Sequence, residues 1–499
     1  MAIPREELGK EKNNTVLPNE YCPHGHLNDR YFIFRLFAFT LFLGLVVPLL
    51  VQDGMFTDGL LYTCVAKNLS EGYGTFWYPY FSHSLHPDFH EQPPLTFGIE
   101  AIFFLLLGKS IYVERFYSFC TGISALFLIM ALWKEAFQDS MLRKMSWWPV
   151  ILWIIIPVCF WSYANNMEEN TMTIFSLLST FYILRGLRTS SLLHFLAAGI
   201  MLSLAALSKG FPGLFPVCTA FFYWLYKRKI TWNQMLKSSA ATFIVLVCFF
   251  LCLFADPQVR ESLHRYLFNR VLNSIANVSN RSSRFYILYK LAAELLPSIL
   301  LSLGLWGWFS RLDRFINDEE GRSNALLFIS LGIAGSLPLM VTMEQRGFYL
   351  VTALPFYAIG LASLTAASLQ KWIDSISLQR IRTFKFITLT LLLIGLGLSV
   401  LSIGRTKRDQ QMLHDVYVIG PRLPVRTTIS IPPELYDDWS LHQYFMRHYG
   451  LTLDPHPHHP YYLCLKGTNL PEGYRRLQLA TKKYDLCVFL QHPELVLRQ

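Results

Sequence analysis

Candidate catalytic side chains are concentrated between residues 52 and 108, a stretch that is too polar to cross a membrane. Asp58 follows the first long apolar run, and Tyr62 comes one helical turn later. A carboxylate at the boundary between water and lipid is able to take a proton from a hydroxyl group while that oxygen attacks. The position also suits an aspartate that caps a helix, so Asp58 is either a general base or an N-cap. We expect Tyr62 to contact the same substrate.

The same stretch contains the run His90-Glu91-Gln92-Pro93-Pro94. Glu91 is a candidate for orienting an acceptor or for binding a metal ion. Together with Glu168, Glu91 and His90 offer the oxygen and nitrogen ligands that divalent ions take in proteins. His83, His86 and His90 are spaced so that they could reach one ion with Glu91. However, three histidines in one loop are not a zinc signature, and loop histidines at a membrane surface are the simpler explanation. A divalent metal ion is therefore an optional cofactor, and the sequence requires none.

A second pair of acids, Glu168 and Glu169, stands at the end of an apolar run. Acidic side chains at membrane depth are unfavourable, which makes them candidates for a functional site. Two adjacent acids cannot share one helix face, so we expect one of them to point into the site. The alternative is that both only solvate the end of a loop.

Cations that could hold a phosphate occur in three places. Lys209 is isolated in an apolar context, so we expect it to pair with an acid or a phosphate, unless it snorkels to the membrane surface. Arginine binds phosphate through parallel hydrogen bonds, which makes Arg265 and Arg346 candidates as well. The loop that holds Arg265 is basic throughout, although a long loop can be basic without a function. Its basic residues are Arg260, His264, Arg265, Arg270, Arg281 and Arg284.

The composition places these residues in a membrane protein. The 499-residue chain is 53% hydrophobic and 16% charged, whereas soluble globular proteins carry about 25% charged residues. The net charge of +10 comes mostly from Lys and Arg in short loops beside apolar segments, which is the pattern of cytoplasmic loops. The charge therefore predicts membrane lipid as the surroundings and no nucleic acid as a partner.

Apolar runs predict a polytopic all-α fold with about 11 transmembrane helices, since each span needs about 20 residues. Lys and Arg fill every alternate loop, so the N-terminal tail (1–30) is predicted to be cytoplasmic and residues 405–499 to lie outside. The spans lie near 31–51, 114–133, 147–164, 171–187, 191–208, 211–226, 238–255, 287–309, 324–342, 348–368 and 384–404. With this topology the outer face collects Asp58, Glu91, Glu168, Glu169, Lys209 and Arg346.

Two helices are predicted inside the first outer loop (52–113) of this transmembrane domain (31–404). The segment 94–107 is apolar but short, and counting it as a span would put the later basic loops on the wrong side. We therefore predict a helix in the outer interface that starts at Pro93-Pro94, where proline is tolerated. Residues 57–70 predict a second short surface helix.

The polar tail, residues 405–499, predicts a small extracytoplasmic α/β domain. Strand-like runs lie at 427–431, 461–465 and 486–490, and a helical run lies at 438–449. Cys464 and Cys487 are candidates for a disulfide bond if the domain faces an oxidising compartment. Acceptor recognition is a hypothesis for this domain.

Several of these residues form a pattern that resembles GT-C glycosyltransferases, namely the protein O-mannosyltransferase (glycosyltransferase 39) family and the bacterial aminoarabinose transferase family. The pattern comprises Asp58, Tyr62, Gly72, Gly74 and Phe76-Trp77, followed by Phe89-His90-Glu91-Gln92-Pro93-Pro94-Leu95. Ala206-Leu207-Ser208-Lys209-Gly210 resembles the Leu-Thr-Lys-Gly motif of these families. Arg346 with Tyr349-Leu350 and Leu354-Pro355 resembles their late basic segment. The resemblance covers about residues 31–370, and the stretch 82–89 is longer than usual.

The resemblance implies an enzyme that uses a polyprenyl-phosphate-linked sugar on the outer face of the membrane, with a bacterial inner membrane as its location. It implies that Asp58 is the catalytic acid of the first loop, and that Glu169 or Glu168 is the acid of the second outer loop. Glu91 matches the acid before the families' Lys-Pro-Pro, but that lysine is Gln92 here. Gln92 donates a hydrogen bond to a phosphate without supplying charge. Either Lys209, Arg346 or an arginine of the 256–285 loop supplies this charge, or the donor is held differently.

The predicted reaction is an inverting displacement. The acceptor hydroxyl attacks the anomeric carbon, Asp58 takes the proton, and the polyprenyl phosphate leaves. The acceptor is a protein Ser or Thr, lipid A or an envelope glycan. One alternative is a GT-C ligase or polymerase that moves a whole oligosaccharide. Another is a multi-span transporter or flippase, which predicts an internal repeat and polar residues near the middle of the membrane, and the sequence shows neither.

Overall fold

The computed structural model describes residues 24–490, except 139, 278–279, 282, 313–315, 317 and 457–458. Of the predicted cytoplasmic tail, residues 1–23 lie outside the described residues. The described chain is mainly helical and ends in a small sheet, which confirms the predicted fold class. Its helices are α1 (His24–Leu50), α2 (Thr57–Ser70), α3 (Leu95–Leu107), α4 (Val113–Ala136), α5 (Trp148–Ile154), α6 (Pro157–Ala164), α7 (Glu168–Thr189), α8 (Leu192–Lys209), α9 (Thr219–Lys227), α10 (Trp232–Phe254), α11 (Pro257–Arg265), α12 (Asn273–Ala276), α13 (Tyr286–Arg311), α14 (Glu319–Ser336), α15 (Leu354–Ser375), α16 (Leu378–Ser402), α17 (Gln410–Ile419), α18 (Pro433–Tyr436) and α19 (Trp439–Tyr449).

Seven of the described helices are long and apolar enough to cross a membrane, and α5 with α6 would make an eighth span that is bent by 81°. The bend falls where α6 begins with Pro157, a residue that cannot continue the hydrogen bonding of the preceding helix. The remaining predicted spans, 171–187, 211–226 and 348–368, are largely helical but are not among the helices that satisfy this test. The predicted count of about 11 spans therefore stays a prediction.

The helical bundle packs through close contacts rather than through apolar burial alone, because lipid tails already solvate apolar side chains. For example, α8 and α10 approach closely at Gly199, where a Cβ would lie 2.7 Å from the carbonyl oxygen of Thr242 on α10. Large aromatic side chains fill the interior between α1, α4 and α5, where Phe42, Trp133 and Trp153 are fully buried.

The two helices predicted inside the first outer loop are both present. α2 spans the predicted residues, and α3 begins at Leu95 directly after Pro94. At 13 residues α3 is among the shorter apolar helices and does not qualify as a span. Its location at the membrane interface stays a prediction.

The end of the chain forms a five-stranded mixed sheet with strand order β2-β1-β3-β5-β4. β1 pairs in parallel with β2 and β3, whereas β5 pairs antiparallel with β3 and β4. The sequence pattern predicted β1, β3, β5 and α19 but not β2 and β4, which have three residues each. The strands are β1 (Thr428–Ser430), β2 (Thr452–Asp454), β3 (Tyr461–Leu465), β4 (Tyr474–Arg476) and β5 (Tyr484–Phe489).

Cys464 and Cys487 lie on the neighbouring strands β3 and β5, and both are buried free thiols. The predicted disulfide is therefore absent from this structure.

The helix α19 joins this C-terminal part to α2 and α4. Arg447 of α19 is 2% exposed, and its Nη2 lies 2.7 Å from Oε2 of Glu114 on α4. Lys67 of α2 donates from Nζ to the backbone oxygen of Arg447 at 2.8 Å. Nearer the start of α2, Tyr444 accepts a hydrogen bond from the backbone N–H of Met55 at 3.2 Å. These buried contacts hold α19 in one position against the helix that carries Asp58.

Candidate active site

Asp58 lies in the first turn of α2 and does not cap that helix. The N-cap residue is Phe56, and no side chain caps this end. The position of α2 is set by Asn165, whose Oδ1 accepts a hydrogen bond from the Phe56 N–H at 3.0 Å. Gly59 allows this approach, because a Cβ there would lie 1.8 Å from the backbone oxygen of Asn165. Of the two alternatives left open for Asp58, the N-cap is therefore wrong.

The carboxylate of Asp58 is available to a substrate. Among the described residues its hydrogen-bond partner is the hydroxyl of Thr57, which donates across a long 3.5 Å. Burial raises the pKa of Asp58, while the charges of Lys209 and Arg346 pull it down. A raised pKa strengthens the ionised carboxylate as a base, and this is the property that a proton acceptor needs.

Lys209 forms a buried ionic cluster with Glu168 and Glu169. Its Nζ lies 3.0 Å from Oε1 of Glu169 and 3.3 Å from Oε2 of Glu168. The Nζ also donates to the hydroxyl of Tyr62 at 3.4 Å. Both glutamates are 0% exposed, and Lys209 is 8% exposed. The prediction that Lys209 pairs with an acid is thereby met, and charges this deeply buried must be paired.

Arg270 connects Glu91 to Glu344. Its Nε lies 2.9 Å from Oε2 of Glu91, and its Nη2 lies 2.7 Å from Oε1 of Glu344. Glu344 also accepts a hydrogen bond from the Ser274 hydroxyl at 2.6 Å. Burial opposes ionisation of Glu344, but these hydrogen bonds and the charge of Arg270 lower its pKa overall. Arg270 was one of six basic residues noted in its loop, and nothing in the sequence distinguished it from the others.

Arg265, which was predicted to bind phosphate, lies elsewhere. It pairs with Asp88 at 3.5 Å and with Glu261 of its own helix, and its side chain is 38% exposed. Arg265 ends α11, whereas Arg270 lies in the π-helical turn that follows over Tyr266–Leu272, and the two arginines pair with different acids. The structure therefore favours Arg270 over Arg265 as the cation that this loop brings to the site.

The three candidate metal ligands do not form one site. Glu91 pairs with Arg270, and Glu168 pairs with Lys209. His90 is hydrogen-bonded through Nδ1 to Ser262 at 3.3 Å. Within the described residues, no group of three His, Cys, Asp or Glu side chains could hold a metal ion. Glu91, His90 and Glu168 therefore do not fit a divalent ion as a ligand set, which corrects the prediction.

Two adjoining cavities collect most of the remaining candidates. The polar cavity has a volume of about 680 Å³, and its lining includes Asp58, Tyr62, Glu91, Gln92, Arg270 and Arg346. The apolar cavity has a volume of about 430 Å³, and its lining includes Glu91, Gln92, Glu169, Lys209, Arg270 and Tyr349. Glu91, Gln92 and Arg270 border both. Glu169 lines the apolar cavity and Glu168 lines neither. Both carboxylates nevertheless contact Lys209, so the two adjacent acids do not point to different sides as expected.

An apolar groove continues from the apolar cavity. It has a volume of about 380 Å³, and Phe211, Tyr266 and Leu267 border both spaces. The rest of its lining comes mainly from apolar side chains of α8 and α10, among them Leu207, Phe243 and Phe250. The polar cavity beside Asp58 thus adjoins the apolar cavity with its cations and acids, and the apolar cavity continues into the apolar groove. This sequence of environments suits a ligand with a polar head and an apolar tail.

Comparisons with known proteins agree with this geometry. The family model of dolichyl-phosphate-mannose-protein mannosyltransferases matches residues 91–254. No curated protein matches the sequence significantly.

Among solved structures, ArnT from Cupriavidus metallidurans bound to undecaprenyl phosphate superposes with a TM-score of 0.63 at 13% identity, covering 93% of this chain and 99% of that chain. The apo form of that protein gives a TM-score of 0.61 at 13% identity, covering 92% of this chain and 97% of that chain. This likeness shows a shared fold. The chain is therefore an integral membrane protein with the GT-C fold, similar to ArnT over most of its length and to the protein mannosyltransferases over residues 91–254.

Proposed function

We propose that the protein transfers a sugar from a polyprenyl-phosphate donor to a hydroxyl acceptor, with inversion of configuration at the anomeric carbon. The acceptor is a protein Ser or Thr, lipid A or an envelope glycan. The enzyme would act on the outer face of a bacterial inner membrane, with its N-terminus in the cytoplasm and its C-terminal part outside. The observation that carries this proposal is the free carboxylate of Asp58 in a polar cavity that adjoins an apolar one.

The donor lipid would lie in the apolar cavity and groove. The described lining of the groove is almost wholly apolar, which suits isoprenoid chains. Its phosphate would lie where both cavities meet, beside Arg270 and Gln92. The solved structure of ArnT with undecaprenyl phosphate supports this class of ligand.

The cations differ in how freely they can meet a phosphate. Lys209 is held by two buried glutamates, whereas Arg270 is held by Glu91 and Glu344. The side chain of Glu91 is 40% exposed, so it is able to turn away while the phosphate takes its place on Arg270. Arg346 is exposed and lines the polar cavity. Arg270 and Arg346 together would replace the charge that Gln92 lacks.

The reaction would proceed in one displacement. The acceptor oxygen forms a bond to the anomeric carbon while the bond from that carbon to the phosphate oxygen breaks. Asp58 receives the proton of the acceptor hydroxyl, and the electron pair of the broken bond leaves with the polyprenyl phosphate. Fixed cations near the departing phosphate lower the barrier, because they stabilise charge where it develops.

The test is Asp58→Asn in the full chain, assayed by release of polyprenyl phosphate from a panel of polyprenyl-phosphate sugars. Loss of a general base should lower the rate by about a hundredfold to ten-thousandfold. Asp88→Asn is the matched control, because Asp88 lies in the same loop, is 52% exposed and pairs only with Arg265 among the described residues. If Asp58→Asn folds and turns over at the wild-type rate, the proposed mechanism is wrong.

A further inference from the structure

One wall of the polar cavity comes from the C-terminal part of the chain and has no role in the reaction proposed above. At the start of α19 this wall contains Asp437, Asp438, Trp439 and Gln443, and His86 of the first loop stands beside it. Asp437, Asp438, Trp439 and Gln443 were not candidates in the sequence, whereas His86 was one of the three loop histidines considered as metal ligands.

Gln443 has a hydrogen-bonding atom that no described residue satisfies. Its side chain lines the cavity, the residue is 1% exposed, and its Oε1 has no partner in the described chain. A buried amide oxygen without a donor lowers stability, and native proteins rarely leave one unsatisfied. Because Gln443 also borders the cavity, a hydroxyl group of a ligand bound there would supply the missing donor.

Trp439 adds an aromatic surface beside this amide. Its ring stacks on His86 with 5.7 Å between the ring centroids, and Trp439 is still 36% exposed. Its indole offers a large apolar face and a polar N–H in one rigid group. The exposed carboxylate of Asp437 is an acceptor for hydroxyl donors. An aromatic face with carboxylate and amide acceptors matches a sugar ring, which has apolar C–H faces and hydroxyl groups at its edge.

The charges in the cavity argue against a phosphate at this wall. The cations that line the cavity are Arg270, which bridges Glu91 and Glu344, and Arg346, whose charge lowers the pKa of Asp58. The charged side chains of the α19 wall are both acids, Asp437 and Asp438. Like charges in a partly buried site repel, so a phosphate is rejected here and an uncharged group is accepted.

We propose that His86, Asp437, Trp439 and Gln443 form an acceptor subsite for an uncharged, hydroxyl-rich sugar, so that the acceptor is a glycan. This inference rests on the proposed function, because the subsite serves the reaction at Asp58 in the same cavity. The buried contacts of Tyr444 and Arg447 fix α19 against α2 and α4, so the subsite keeps its place relative to Asp58.

The experiment uses the full chain in a detergent without sugar groups and the donor of the panel that releases lipid phosphate fastest. Three fluorescent acceptors are compared: an uncharged disaccharide glycoside, a disaccharide carrying two phosphates, and a peptide containing Ser and Thr. We expect transfer to the uncharged disaccharide. Trp439→Ala and Gln443→Ala should each raise the acceptor KM by about fivefold to tenfold.

The donor KM should stay unchanged in these variants, which separates loss of the subsite from loss of the active site. Trp232→Ala is a matched control, since Trp232 is also exposed but begins α10 and lies outside the polar cavity. Asp437→Asn is a second test, because Asp437 is exposed and its substitution should not impair folding.

Preference for the peptide or the phosphorylated disaccharide, or unchanged acceptor KM in all three variants, overturns the subsite. Failure of the wild type to release lipid phosphate from any donor overturns the proposed function, and the subsite with it.

Discussion

Arg270 Nε lies 2.9 Å from Oε2 of Glu91, the residue before Gln92, which stands where the motif of the families that the sequence resembles has a lysine. The pair brings a cation from a distant loop to the border of the two cavities. We infer that Arg270 substitutes for the missing lysine, and this inference leads to the first two predictions.

Arg270→Gln should lower kcat/KM for the donor by about tenfold to a hundredfold, because it removes a charge-assisted hydrogen bond to the phosphate. Release of polyprenyl phosphate at low donor concentration measures this. Arg265→Gln makes the same chemical change in the same loop but outside both cavities, and it should retain the wild-type value within about twofold. Equal losses in the two variants would mean that Arg270 has no special role.

Gln92→Lys should restore part of the activity of Arg270→Gln. Gln92 lines both cavities beside Arg270, so a lysine there returns a cation to the same place. We expect the double variant to recover about tenfold in kcat/KM, since charge-assisted hydrogen bonds contribute about 1.5 to 3 kcal/mol. The comparison is the double variant against Arg270→Gln alone, with Gln92→Lys in the wild-type background as the control. If the double variant is no more active than Arg270→Gln, Arg270 does not take the place of a lysine at position 92.

The acidic limb of the pH–rate profile should report the ionisation of Asp58. Burial raises the pKa of this carboxyl, and the protonated form cannot accept a proton, so activity should rise with pH as the proton is lost. Arg346 is one of the charges that lower this pKa. Arg346→Gln should therefore move the acidic limb to higher pH. Initial rates at saturating donor measure the limb, and a shift to lower pH would contradict the assignment.

Lys209→Met should destabilise the protein strongly. It would leave Glu168 and Glu169, both 0% exposed, without their cation. Breaking a buried ion pair from one side destabilises by about 3 to 5 kcal/mol. A fall in the melting temperature of the detergent-solubilised protein measures the effect.

The companion variant Lys209→Met with Glu169→Gln removes one of the orphaned charges and should regain part of the lost melting temperature. If Lys209→Met melts like the wild type, the cluster does not contribute to stability and Lys209 serves only the ligand.

The pattern of apolar and charged residues along the chain is enough to predict the class of the protein and the places of its main elements. Long apolar runs must become helices in lipid, because backbone hydrogen bonds have no other partner there. Local sequence pattern was enough to predict α2, α3, β1, β3 and β5. Apolar periodicity and prolines indicate where such segments start and end. The two short strands β2 and β4 gave no comparable pattern and acquire their structure from pairing.

Which charged residues contact each other depends on the tertiary structure. The loop contains six basic residues, and its packing against the rest of the molecule brings Arg270 to Glu91 while Arg265 pairs with Asp88 and Glu261. Helix packing also places Glu169, rather than Glu168, at the apolar cavity. In the same way it places Gln443 at the polar cavity that Asp58 lines. Contacts between residues hundreds of positions apart depend on helix packing and side-chain direction, and neither can be read from local pattern.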